Sequence, residues 1–307
     1  MAEKRDTAVE SPAAGDARAL PLGSRVLLAL LSAALLAVCF PPYNLWWVAW
    51  FALAPFLLAL EGAKPFHARL VGFVWGATFY GFSARWLFSI FGFPAVALIG
   101  ILALGPWLFG QAYVSARRRL PGGWSWAALP VLWVGIEYFR SECWYFKFAW
   151  FGLGYSQTSY LPILQWAGVG GCYGLSVLIA VANVFFLVSV VLRNARLALN
   201  TVGLCLLAAA IGAGRKTATD EARHRDSSDL RSFRVALVQD ESSELDRMLE
   251  LSRASLTYRP HLIIWPEYAV MEDPVGDAGM RRSISALAVE SEAYVVVGCK
   301  RYLDAKH

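Results

Sequence analysis

The chain has 307 residues, of which 57% are hydrophobic and only 17% charged, whereas soluble domains lie near about 45–50% apolar and about 25% charged. That balance excludes a wholly soluble enzyme, and a net charge of +5 that is spread rather than clustered excludes a nucleic-acid-binding patch. The apolar excess lies between Arg25 and Gly214, so a membrane region precedes a soluble one.

Residues 1–24 read as a disordered cytoplasmic tail: Lys4, Arg5, Pro12 and Gly15 sit among Ala, Asp and Glu without periodicity. The short apolar run Val26–Phe40 could open a signal peptide. However, Pro41-Pro42 and Trp46-Trp47 follow it, not a small-residue cleavage site. The transmembrane helical domain is set at 25–214. A helix needs about 20 apolar residues to cross a bilayer, and the candidate spans are 26–40, 45–60, 70–90, 94–115, 125–139, 170–192 and 197–214.

Basic residues test that arrangement, because cytoplasmic loops carry the Lys and Arg excess. With the N-terminus inside, the inner segments hold Lys4, Arg5, Arg18, Arg25, Lys64, Arg69, Arg117, Arg118, Arg119, Arg193 and Arg196. The outer loops hold only Arg85, Arg140 and Lys147. Seven spans then place everything after Gly214 outside, which is the periplasm in a bacterium. The loop 140–169 is aromatic and apolar yet broken by Gly and Pro, notably over Cys143–Gly152. It reads either as an interfacial anchor or as the wall of a lipid-access groove. Glu137 and Arg140 stand three apart on a helix and are expected to pair, the alternative being a contact with a lipid headgroup. Arg85 beside Trp86 carries the same two readings.

Residues 215–232 read as a polar linker, containing Arg215-Lys216, Asp220-Glu221 and Ser227-Ser228. Beyond it, strands are expected at Phe233–Gln239, His261–Trp265 and Tyr294–Gly298. Helices are expected at Glu244–Tyr258 and Asp277–Ala293, from the spacing of Leu245, Met248, Leu249 and Leu256 and of Ile284, Leu287 and Ala288. Continuous apolar strands alternating with helices predict a parallel sheet covered on both faces. Three strands are too few for a finished α/β domain.

Trp265-Pro266-Glu267 closes the middle strand, and open parallel sheets hold their sites outside the carboxyl ends of the strands. Pro266 biases Trp265 to extended geometry and fixes the turn. An acid there is placed to act as a general base where apolar surroundings favour its taking up a proton. The alternative is a solvated turn glutamate.

In this order and topology the chain resembles the apolipoprotein N-acyltransferases, membrane proteins with a nitrilase-like domain. The resemblance rests on Glu137-Tyr138-Phe139-Arg140, on Phe151-Gly152-Leu153-Gly154-Tyr155-Ser156-Gln157, and on Gln165 with Gly168, Gly171 and Gly174. Asn183, Val235–Gln239 and Leu262–Glu267 complete it. It implies a multi-span α-helical membrane domain followed by the N-terminal part of an αββα, nitrilase-like α/β domain at 233–307. It also implies an acyl chain moved from a phospholipid, usually phosphatidylethanolamine, through a thioester on the enzyme. The acceptor is the α-amine of a lipoprotein's diacylglyceryl-cysteine. No cofactor or metal is implied.

Of the family's Glu–Lys–Cys triad only Glu267 carries over, as general base; the lysine and cysteine positions lie further downstream than this chain runs. Cys39, Cys143, Cys172 and Cys205 lie in or beside spans, and Cys299 and Lys300 match neither missing position. The eighth span of the family is not in the sequence, and the loop Asp240–Asp246 lacks the tryptophan many members carry there. The chain is therefore expected to be C-terminally incomplete and inactive alone. A membrane-anchored amidase acting on small amides and a degenerate, non-catalytic relative are the alternatives.

Overall fold

The computed structural model describes residues 20–227, 233–271 and 273–299, with the side chains of 222–227 left aside. Up to Ser227 it is helical. The helices are α1 Leu22–Ala37, α2 Ala49–Ala52, α3 Ala54–Leu60, α4 Pro65–Ser83, α5 Leu87–Phe91, α6 Ala95–Arg119, α7 Trp124–Tyr138, α8 Leu161–Leu164, α9 Ala167–Val191 and α10 Ala195–Ser227. Then come β1 Val235–Leu237, α11 Leu245–Ser255, β2 Leu262–Ile264, α12 Ala278–Ser291 and β3 Tyr294–Val296. The chain divides into two compact units, Met1–Ala222 and Arg223–His307.

In the first unit, α6, α9 and α10 as far as Glu221 are long and apolar enough to cross a membrane. The expected span 45–60 is broken into a 3₁₀ turn at Trp46–Val48 followed by α2 and α3. Pro55 is the cause: it has no N–H and crowds the carbonyl one turn earlier. The expected span 70–90 stops at Ser83, and α9 has a non-helical residue at Gly171, with φ 63°. The polar stretch after Gly214, read from sequence as a linker, instead continues α10 as helix to Ser227.

The core of this unit is aromatic. Trp75 stacks on Phe56 and Phe79, with centroids 5.2 and 5.0 Å apart, and meets Trp133 edge-on at 5.4 Å. Helices α4 and α6 approach closely because Gly72 and Gly110 carry no side chain. A Cβ at either would collide with a carbonyl, that of Pro106 or of Ala68. Without a hydrophobic drive between helices in lipid, small residues at such contacts permit the dispersion packing that holds them together.

In the second unit β1, β2 and β3 form a parallel sheet in that order, with Val235 opposite Leu262 and Leu262 opposite Tyr294. Ile263 and the core residues Met248, Leu249, Met280 and Leu287 make the buried side, where α11 and α12 pack. The other side is open, which corrects the expectation of a sheet covered on both faces. Leu237 is 77% and Tyr294 80% exposed among the described residues. Both helices lie on one side, so among the described residues the alternate side chains of each strand meet no second layer.

Candidate functional site

The turn that follows β2 is fixed from several directions. Trp265 is buried, and its indole Nε1 donates to Ser252 Oγ at 2.9 Å. Ser252 in turn donates to the Met248 carbonyl at 2.7 Å. The Trp265 backbone N–H donates to Val296 O, and that of Ala269 donates to Gly298 O at 3.0 Å. Tyr268 takes a left-handed φ of 56°, unusual without a glycine, and its carbonyl accepts from Ser243 Oγ at 3.2 Å.

Gly298 is the hinge of this packing. A Cβ there would overlap the Pro266 carbonyl and lie 2.8 Å from the Glu267 Cα. The chain leaving β3 therefore runs directly against the Pro266-Glu267 peptide, which only glycine permits. Glu267 itself projects from the carboxyl edge of the sheet as an exposed residue. The apolar enclosure anticipated for it is not formed by the described residues. Cys299 is half-buried; it pairs with Val270 in an isolated parallel bridge and packs against the core. Lys300 lies outside the described residues. Ser252, Ser243 and Gly298 escaped the sequence reading, and only Gly298, a glycine ending an apolar strand, left a signal there.

In the first unit Glu137 and Arg140 are buried, at 6% and 8% exposure, but among the described residues they form no ion pair with each other. The expected direct ion pair is corrected, because other groups hold each of them, although the two charges still act on each other electrostatically. Glu137 Oε1 accepts from Trp133 Nε1 at 2.8 Å and from the Leu153 N–H at 2.9 Å. Arg140 donates to the Tyr80 hydroxyl and, at 3.0 Å, to the Trp150 carbonyl. Among the described residues Glu137 Oε2 and Arg140 Nε have no hydrogen-bond partner. Arg140 sits in a π turn, Phe139–Cys143, closed by Trp144 N–H to Phe139 O at 2.8 Å.

The aromatic loop divides between exposed rings and rings that line cavities. Tyr145, at 89% exposure, and Phe146 face outward, whereas Trp144, Trp150 and Phe151 line cavities. One cavity of about 270 Å³ lies between α6 and α7, walled by Ile101, Leu104, Leu108, Ile136, Phe139 and Trp144, with Arg140 as its charged member. Another of about 500 Å³ is lined by Phe40, Trp86, Trp150, Phe151, Tyr155 and Ser83. Arg85 lies over the Phe82 ring at 5.3 Å, and Trp86 meets Trp150 at 5.5 Å. Gln157 Nε2 donates to Trp46 O at 3.0 Å, and its Oε1 accepts from Trp50, tying the end of the loop to the break before α2.

Comparison with known proteins covers both units unequally. A family model described as the apolipoprotein N-acyltransferase N-terminal domain matches residues 32–185. A protein of Geobacter metallireducens named apolipoprotein N-acyltransferase is 38% identical over 167 residues, 52% of this chain and 32% of that protein. Proteins of the same name from Photobacterium profundum and Chlorobaculum tepidum are 26% and 27% identical; the alignments take in 80% and 81% of this chain and 50% of each relative. The chain thus spans between about a third and half the length of these curated relatives. With half of its residues matched by the family model, and with the buried Glu137, Arg140, Gln157 and Asn183 all inside that match, the chain belongs to the apolipoprotein N-acyltransferase family.

Proposed function

We propose that this chain contributes the membrane platform and the base of the acyl-transfer site of an apolipoprotein N-acyltransferase. Seven crossings with the N-terminus inside carry the sheet to the periplasmic side of the bacterial inner membrane. The distribution of Lys and Arg supports this orientation. The open apolar side of the sheet supports a nitrilase-like αββα sandwich, in which a second sheet would pack on Leu237, Val296 and their neighbours.

In this reading Glu267 takes the proton of a cysteine thiol. The thiolate attacks the carbonyl carbon of a phospholipid acyl ester, for which phosphatidylethanolamine is the expected donor. The carbon–oxygen bond breaks, the thioester forms, and the lysophospholipid leaves with the proton. A lysine stabilises the oxyanion. The α-amine of a diacylglyceryl-cysteine then attacks the thioester, the carbon–sulfur bond breaks, and the amine's proton returns to sulfur by way of Glu267. The cysteine and lysine are assigned to residues other than those of this chain, so the 307-residue polypeptide alone is expected to transfer no acyl group.

The observation that carries the proposal is the position of Glu267 at the carboxyl end of the central strand, locked by Trp265 and Gly298. The test is acylation of a diacylated lipopeptide in phospholipid vesicles by the protein expressed from its whole reading frame. Glu267→Gln should lower the rate about 10²–10⁴-fold. An unchanged rate would remove Glu267 from the mechanism, and hydrolysis of small amides without lipopeptide acylation would favour a membrane-anchored amidase.

A further inference from the structure

Three buried polar side chains line one small cavity of about 20 Å³: Tyr80 of α4, Glu137 of α7 and Arg140 in the π turn that follows it. The rest of its wall is apolar and includes Leu36, Phe79, Phe109, Ile136 and Phe151. All three polar residues are more than nine-tenths buried. Each keeps one group that no other side chain or backbone group meets. Among the described residues nothing donates to Glu137 Oε2, and Arg140 Nε–H has no acceptor. The Tyr80 hydroxyl accepts from Arg140, and among the described residues no acceptor meets its own proton. The Ser176 hydroxyl lies near the same carboxylate and accepts from the Gly154 N–H, but it forms no hydrogen bond to Oε2.

The Glu137 and Arg140 charges act on each other across this gap without a direct bond. A buried donor or acceptor left unmet is costly, and more so beside charge in apolar surroundings. Two donors and one acceptor are thus unmet around one space. A cation there would be repelled by the guanidinium and an anion by the carboxylate, and a hydrocarbon would meet none of the three groups. A water has the matching inventory: it accepts twice and donates. Buried waters make about three hydrogen bonds and need at least about 10–15 Å³, so the cavity admits one molecule.

We propose that this cavity binds a single structural water, which accepts from Arg140 Nε–H and the Tyr80 hydroxyl and donates to Glu137 Oε2. The two separated charges become a water-bridged ion pair. Its reach extends to the aromatic loop, because Arg140 also donates to the Trp150 carbonyl and Glu137 also accepts from the Leu153 N–H. The bridged pair therefore holds both ends of Trp150–Leu153 against α4 and α7, and with them the rings of Trp150 and Phe151 that line the cavity of about 500 Å³. The inference stands on the helical unit alone and not on acyl transfer, so the two can fail separately.

The test is radiolytic hydroxyl labelling of the full chain in neutral maltoside micelles, read by peptide mass spectrometry. Radicals formed in place by an X-ray pulse mark side chains beside bound water as well as those open to solvent. Phe79 and Phe56 make the comparison: they are 1% and 0% exposed, and only Phe79 lines the cavity. Phe79 should be oxidised at least about fivefold faster than Phe56. Glu137→Gln keeps the shape but turns the acceptor into a donor, and should bring Phe79 down to the rate of Phe56 while circular dichroism stays that of the parent. In unfolding by dodecyl sulfate, the double change Glu137→Gln with Arg140→Gln should lose less than the sum of the single ones, by at least about fivefold in the equilibrium constant.

Equal oxidation of Phe79 and Phe56 in the parent chain would overturn the proposal without recourse to any variant. Undiminished oxidation of Phe79 in a folded Glu137→Gln protein would overturn it too, as would strict additivity of the two changes. None of these results bears on acyl transfer through Glu267.

Discussion

Asn183 offers the sharpest test of how the helical unit is held together. It is fully buried in α9 and faces the break between α2 and α3. Pro55 lies in the first turn of α3, and the N–H groups left unpaired at that helix start, together with the Ala49 carbonyl, are met by one side chain. Asn183 Oδ1 accepts from the Leu53 and Ala54 N–H groups at 2.8 and 3.1 Å, and Nδ2 donates to the Ala49 carbonyl at 2.9 Å. In lipid a freed backbone group has no water to turn to, so a neighbouring helix must satisfy it. Hydrogen bonds between helices in bilayers average about 0.6 kcal/mol and reach about 1.7. Three of them lost in Asn183→Leu, a change with little effect on volume, should cost about 2–5 kcal/mol. Unfolding by dodecyl sulfate, followed by circular dichroism in mixed micelles, measures this. Pro55→Ala restores the missing N–H and should relieve the demand, so the double variant should recover at least about 1 kcal/mol of the summed losses. A cost for Asn183→Leu below about 0.5 kcal/mol, or strict additivity with Pro55→Ala, would refute the reasoning.

Other consequences lie in the second unit. Gly298→Ala forces the Pro266-Glu267 peptide away from β3 and should cost about 1–3 kcal/mol, as overpacking does, seen as a lower midpoint in urea. Ser252→Ala leaves the buried Trp265 N–H without its acceptor and should cost about 1–3 kcal/mol, with a shift in tryptophan emission as the second readout. Asp277 caps α12 by accepting from the Gly279 and Met280 N–H groups at 2.7 and 3.0 Å, and these bonds hold its carboxyl below the ordinary carboxylate value. A depressed native value means the cap's contribution is complete above the unfolded carboxylate pKa of about 3.9 and is lost as pH falls through the native one. The stability difference between Asp277→Asn and the parent chain, by thermal melting, should therefore be constant from neutrality down to about pH 5 and shrink below it.

Legibility in the sequence followed the range of the interactions. The strands at Leu262–Ile264 and Tyr294–Val296 and the helix from Ala278 could be read because apolar spacing is a local signal, and all three lie inside their expected spans. The parallel pairing followed from helices inserted between strands. Relations between distant segments were not legible. Asn183 was a family-matching residue without a role until the break at Pro55 was placed beside it. Glu137 and Arg140 have the right spacing to pair, but spacing alone does not say that Trp133, Leu153, Tyr80 and Trp150 compete for them. The continuity of α10 past Gly214 was missed because Arg215 to Glu221 are polar, although polar residues extend a helix readily once it leaves an apolar layer.

In the proposed function, the open side of the sheet among the described residues and the exposure of Glu267 are linked. The strands are apolar on both sides, since Leu237, Tyr294 and Val296 stand opposite the residues that meet α11 and α12. Apolar side chains in that register have a structural use only if a second layer covers them. A carboxylate serves as an efficient base toward a thiol only where water is excluded around it. A layer laid over Leu237 and Val296 would also bring protein toward the carboxyl edge where Glu267 stands, so the covering of the sheet and the formation of the base are one event in this reading. Leu237→Lys should then leave the 307-residue chain as stable as before, because its side chain is already 77% exposed. In the protein expressed from its whole reading frame the same change should lower both stability and acyl transfer, and an equal effect in the two proteins would separate the open face from the site.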